Sequence, residues 1–277
     1  TITVASGGTL TLSNGTINLG PSGGYNRSLS VTGTTTISGG TLNVNGNAVF
    51  NTNSTFNMSG GNFNIDGNGA AVVPTSTNLL RFGASSTGMT INATAGTITI
   101  VDPHANSSTT DYAVGISISS SNAQATSFAG CTFQFGDGVS ATSGNTFGFI
   151  FDTYISTKNV PLGNVVVNGG NGSTRFTSGT ASSINASDIN GTLTVNSGSE
   201  IRTSGSAGFG VYGNIVNEGT ISVTSATSGV LYLGGSQLGS PPAPNAAQII
   251  SGLGVWRNST ASSTASINNL TVNNTLG

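Results

Sequence analysis

A nine-residue phrase recurs in this chain at a short distance. Ser38-Gly39-Gly40-Thr41-Leu42-Asn43-Val44-Asn45-Gly46 returns 21 residues later as Ser59-Gly60-Gly61-Asn62-Phe63-Asn64-Ile65-Asp66-Gly67. Ser6-Gly7-Gly8-Thr9-Leu10-Thr11-Leu12 opens the same way. A repeat of this length is one supersecondary unit. It cannot bury its own apolar face and must stack on its neighbours. Within each copy, apolar residues alternate with Asn or Thr, the period of a strand with one buried face.

The same alternation runs along the chain, for example at Thr16-Ile-Asn-Leu19, Leu29-Ser-Val31, Ile98-Thr-Ile100, Ile116-Ser-Ile118, Phe133-Gln-Phe135, Leu193-Thr-Val195, Ile221-Ser-Val223 and Leu270-Thr-Val272. Gly, Asn and Ser punctuate these runs. No segment keeps a capped i, i+3, i+4, i+7 apolar pattern. The expected fold is all-β: a single right-handed parallel β-helix over residues 1–277, with about 20 residues per coil and on the order of a dozen coils.

Stacking also accounts for the composition. Charged residues make up 5% of the chain, against about 25% in ordinary domains. In a parallel stack each residue lies about 4.8 Å above its counterpart, so like charges would line up and repel. Asn, Ser and Thr hydrogen-bond along the stack instead. The 42 glycines supply corners with positive φ. A hydrophobic fraction of 35% with net charge −2 is not the composition of a disordered chain.

Two regions depart from the pattern. Residues 101–160 hold Asp102, His104, Asp111, Asp137 and Asp152, with Phe128, Phe133, Phe135, Phe147, Phe149, Phe151 and Tyr154. They are expected to form a wider-core layer or an irregular insert, with the aromatics in the core. Gly239-Ser-Pro-Pro-Ala-Pro244 breaks any strand, and 239–245 is expected to protrude as a loop.

Several partner classes are disfavoured. Lys158 is the single lysine, and Arg27, Arg81, Arg175, Arg202 and Arg257 are scattered in sequence. That is thin for phosphate binding, so no nucleic-acid partner is expected. The chain has no basic amphipathic stretch and no apolar run of membrane-spanning length, so no membrane insertion is expected. Cys131 is the lone cysteine, which precludes a disulfide within the chain. In FAGCTFQF it reads as a buried apolar residue without the electropositive neighbour that activates a thiol.

Asp102, His104 and Asp111 form the best titratable group. Asp-Pro-His reads as a turn, and acid–base chemistry or metal binding would use such residues. Asp137 and Asp152 would join a calcium site only if stacking aligned them with further oxygens. Asp102, Asp111, Asp137 and Asp152 are also the plausible carboxylate set for polysaccharide cleavage. The plainer reading, solvated loops, is adopted for all of them. No phosphate loop of G-x-x-x-x-G-K-[ST] order occurs. No catalytic, cofactor-binding or metal residue is assigned, no cofactor is expected, and the chain is read as a non-enzyme.

Thr-x-Thr pairs at Thr1/Thr3, Thr9/Thr11, Thr34/Thr36, Thr97/Thr99 and Thr192/Thr194 are spaced irregularly. They read as exposed strand positions rather than an ice-binding array. The N-x-[ST] triplets, as at Asn14, Asn26, Asn53, Asn57, Asn92, Asn106 and Asn258, follow from composition.

The runs SGGTLNVNG, SGGNFNIDG, GNIVNEGTISV, QIISGLGVWRNS and INNLTVNNTLG resemble the β-strand repeat regions of very large bacterial surface proteins. The resemblance is to those of Bacteroidetes exported by the type 9 secretion system, and also to filamentous-haemagglutinin and autotransporter passenger repeats. It implies an extracellular or cell-surface, outer-membrane-associated adhesin segment. The expected partners are a carbohydrate or cell-surface ligand, or further copies of the chain joined end to end as a filament. The abrupt strand patterns at both ends suggest a segment of a longer protein.

Overall fold

The computed structural model describes residues 1–20, 27–66, 78–83, 89–102, 112–116, 126–139, 148–151, 162–168, 173–178, 187–204, 209–223, 231–233, 247–258 and 270–272. Every regular element among them is a strand, and every strand pairing is parallel. The strands join into one large sheet, an arrangement consistent with a β-solenoid.

The pairings arrange the strands in three columns, which the chain visits in a fixed order. Ile2–Val4, Thr9–Leu12 and Thr16–Leu19 begin them. Ile2–Val4 pairs with Arg27–Val31, Thr9–Leu12 with Thr34–Ile37, and Thr16–Leu19 with the first half of Thr41–Phe50. The second half of Thr41–Phe50 bends into the Ile2–Val4 column, where it lies on Arg27–Val31. Among the described residues, successive strands therefore return to these three columns in the same order. Strands in 101–160 keep to them: Tyr112–Ile116 and Gly148–Phe151 pair in the first column, and Thr126–Phe135 spans the other two.

The 21-residue repeat is the register itself. Thr41, Leu42, Asn43 and Val44 lie opposite Asn62, Phe63, Asn64 and Ile65. Facing inward, Leu42, Phe63, Ile98, Phe133, Val165, Leu193 and Ile215 form one unbroken lane, and all are fully buried. An aromatic stack runs beside it: Phe50 to Phe82 at 4.9 Å, Phe82 to Phe128 at 5.1 Å and Phe128 to Phe133 at 5.0 Å between ring centroids. The core reading of Phe128, Phe133 and Phe135 thus holds.

Glycine sets the corner before the repeated strand. Gly40 and Gly61 adopt φ of 72° and 75°. A Cβ on Gly61 would lie 2.7 Å from the Gly40 carbonyl oxygen, the same carbonyl that accepts the Asn62 amide at 2.9 Å. A side chain there would meet both backbone strain and the level below.

Candidate functional site

The most regular outward feature is a ladder of amides on the third column. Asn43 Nδ2 donates to Asn18 Oδ1 at 2.7 Å, and Asn64 Nδ2 donates to Asn43 Oδ1 at 2.9 Å. Asn45 Nδ2 donates to the Gly20 carbonyl at 2.7 Å. Strand pairing puts these side chains at the spacing where one amide reaches the next. Beside the ladder lies an open groove of about 420 Å³ lined by Asn18, Gly20, Asn43, Asn45, Asn64, Asp66 and Val101. Amide donors and acceptors with a carboxylate at one end suit polyhydroxyl ligands better than charged ones. A shorter ladder joins Asn196 Nδ2 to Asn168 Oδ1 at 2.8 Å.

A second cluster sits on the first column towards the C-terminal end. Arg257 donates through Nη2 to Glu200 Oε1 at 3.1 Å and through Nε to Ser222 Oγ at 3.0 Å. The Ser222 hydroxyl donates to the same Glu200 oxygen. Ser222 is fully buried beneath this pair, while Arg257 remains about half exposed.

Of the sequence-derived candidates, Asp102 and Asp137 fall among the described residues. Asp102 ends Thr90–Asp102 and lies opposite Asp66 across the strand pair. Asp137 caps its own turn, its Oδ1 accepting the Val139 amide at 2.9 Å. His104, Asp111 and Asp152 lie outside the described residues, as do Phe147, Tyr154, Lys158 and the loop 239–245. Among the described residues no group of three or more His, Cys, Asp or Glu is placed to hold a metal. Cys131 is free and buried, and burial pushes its thiol up to about 12. No helix of the described residues is long and apolar enough to cross a membrane.

The Thr-x-Thr pairs stack in part. Thr9 and Thr11 lie opposite Thr34 and Thr36. The next two levels keep Thr at the first position, as Thr55 and Thr90, and put Asn57 and Asn92 at the second. Their unequal spacing in sequence hides this lane. Linear spacing also hides the arginines. Arg27, Arg81, Arg175, Arg202 and Arg257 all fall on first-column strands. Arg175 lies opposite Arg202, Arg202 opposite Ser222, and Ser222 opposite Arg257. The signal for part of this lane is present in sequence: Val167-Asn168 and Val195-Asn196 end equivalent strands, and Arg175 and Arg202 follow them.

In comparisons with known proteins, no family model matches this chain, and neither a curated protein nor a solved structure matches it.

Proposed function

We propose that the chain is a right-handed parallel β-helix that serves as a rigid rod in a secreted or surface-displayed, adhesin-like bacterial protein. The observation that carries this reading is the unbroken inward lane from Leu42 to Ile215 under a nearly uncharged surface. A solenoid of this kind has one continuous core and an axis along which it adds levels. Its job is mechanical: to hold binding surfaces at a distance, with the Asn-lined groove beside Asp66 as a place for a neutral sugar. On the order of ten levels at about 4.8 Å each give a rod near 50 Å long. Small-angle scattering on the purified chain is expected to report an elongated particle of that length. A compact, near-spherical scattering profile would rule the rod out.

A homopolymeric filament is the second reading, and one feature favours it. Ile250 and Val255, on Ile250–Ser251 and Val255–Asn258, and Ile249 and Leu253 beside these strands are exposed together. Among the described residues no further strand lies on them, and a further level of another copy would cover them. Under this reading, sedimentation shows concentration-dependent association that Leu253→Asp abolishes. If the parent stays monomeric at high concentration, the rod is a segment and not a filament subunit.

A further inference from the structure

Charge in this molecule is rare, and it is also sorted. All five arginines lie on the first column. Among the described acidic residues only Glu200 shares it. Asp66 and Asp102 lie on third-column strands, Asp137 and Glu218 follow such strands, and Asp188 is on the second column. Towards the C-terminal end the sorting becomes a lane: Arg175, Arg202, Ser222 and Arg257 occupy successive levels of one register position. Adjacent levels are about 4.8 Å apart, and like charges directly opposite one another destabilise a strand pair. Among the described strand pairings the other like-charged pair is Asp66 opposite Asp102; outward positions elsewhere are mostly Asn, Ser or Thr.

We infer that the Arg175–Arg202–Arg257 lane binds a linear acidic polysaccharide laid along the stack, its anionic groups meeting successive levels. The charge is concentrated along the axis, which fits a polymer better than a single small anion. Three arginines in a chain of net charge −2 suit a polymer less densely charged than duplex nucleic acid, whose binding draws on many more cationic contacts. Glu200 tunes the site. Its carboxylate holds Arg257 and the Ser222 hydroxyl, so an incoming anion competes with it for Arg257. Carboxylated and sulfated polymers share the required chemistry. This inference names the partner class for the proposed rod and rests on the strand register and the Glu200–Arg257 contact, so it stands or falls separately from surface display.

The test is affinity electrophoresis of the purified chain in gels containing alginate, a sulfated galactan, or neutral dextran. Retardation is expected in one or both acidic gels, weakening with added salt, and none in dextran. The two acidic gels tell which anion is preferred. The triple variant R175Q/R202Q/R257Q is expected to bind about ten-fold more weakly, whereas R27Q/R81Q binds as the parent does. Glu200→Gln is expected to bind a few-fold more tightly, because it frees Arg257 while keeping a side-chain oxygen for Ser222. Undiminished retardation of a folded triple variant, unchanged binding of Glu200→Gln, or equal retardation by dextran would overturn the inference. Tighter binding to duplex DNA through the same arginines would overturn the polysaccharide assignment. If the triple variant fails to fold, the single variants and Glu200→Gln decide.

Discussion

The stretch 27–66 and the stretch 187–223 use the same three columns and hold them differently. In the first, strands run to ten and twelve residues, at Thr41–Phe50 and Thr55–Asp66. Phe50, Phe56 and Phe63 fill the interior, and Asn18, Asn43 and Asn64 are bonded to one another outside. In the second, strands such as Leu193–Val195 and Ile215–Asn217 have three residues. Among the described residues its buried apolar side chains are Ile189, Leu193, Val195, Ile201, Val211, Ile215 and Ile221. Outside, Glu200 and Ser222 bond to each other and to Arg257 of the following level, and Asn196 keeps an amide bond to Asn168. Register is common to both, so side-chain volume and outer chemistry are free to vary along the stack. Phenylalanine rings belong to the core of the first stretch, and the apolar side chains described in the core of the second are aliphatic.

That contrast makes unequal demands on single side chains. Phe63→Ala removes a fully buried ring in contact with Phe50 and Phe56 and is expected to cost about 3–5 kcal/mol. Val195→Ala in the aliphatic end is expected to cost about 1–3 kcal/mol, since fewer methyl groups are removed. Denaturant midpoints of the two variants test the order. Equal losses would erase the distinction between the two interiors.

Gly61→Ala comes next, at about 1–3 kcal/mol, because it strains a positive φ and presses on the Gly40 carbonyl. The melting temperature reads this directly. A variant as stable as the parent would mean that the corner relaxes freely.

Asn43→Ala breaks two ladder bonds at once and is expected to cost about 1–2 kcal/mol. Arg257→Gln, at an exposed pair, is expected to cost under about 1 kcal/mol. If Arg257→Gln proved the more damaging, charge and not the amide ladder would be the main outer support.

The smallest effect concerns Cys131. The folded chain holds its thiol proton up to about 12, whereas an unfolded thiol releases it near ~8.5. The unfolded state therefore binds fewer protons between these values. Stability from this residue is intact below ~8.5 and declines as pH rises towards 12. At pH 8 a thiol reagent is expected to label Cys131 only after denaturant is added. Rapid labelling of the native chain would contradict its burial.

The inward residues are legible in sequence because strand periodicity does not depend on loop length. Leu42, Val44, Phe63 and Ile65 are identified by alternation alone, and the 21-residue phrase states their register. The lateral lanes are not legible in the same way, since the distance between stacked residues changes along the chain. Asn43 and Asn64 are 21 residues apart, Asn18 and Asn43 are 25, Asn168 and Asn196 are 28, and Ser222 and Arg257 are 35. Loops of different length separate the strands without disturbing the stack. Arg175, Arg202 and Arg257 therefore look scattered in sequence and share one lane in space. Asn217 shows the opposite failure. It occupies the inward position opposite Val195 and is fully buried. It is retained because its Nδ2 reaches the Val255 carbonyl at 3.2 Å and its Oδ1 accepts the Gly219 amide at 3.2 Å. Alternation alone cannot distinguish that corner from an error in the pattern.

The central claim is that successive circuits stack in parallel register, and paired cysteines test it most directly. Ser30 lies opposite Val49, and Val49 opposite Arg81. In a Cys131→Ala background, Ser30→Cys with Val49→Cys places two thiols one level apart, within disulfide reach. Ser30→Cys with Arg81→Cys places them two levels apart, roughly 10 Å, beyond it. Mild oxidation is expected to give an intramolecular bridge in the first pair, read as a gel mobility shift reversed by reductant, and none in the second. Bridging of the second pair in preference to the first would contradict the stacked register on which every other conclusion depends.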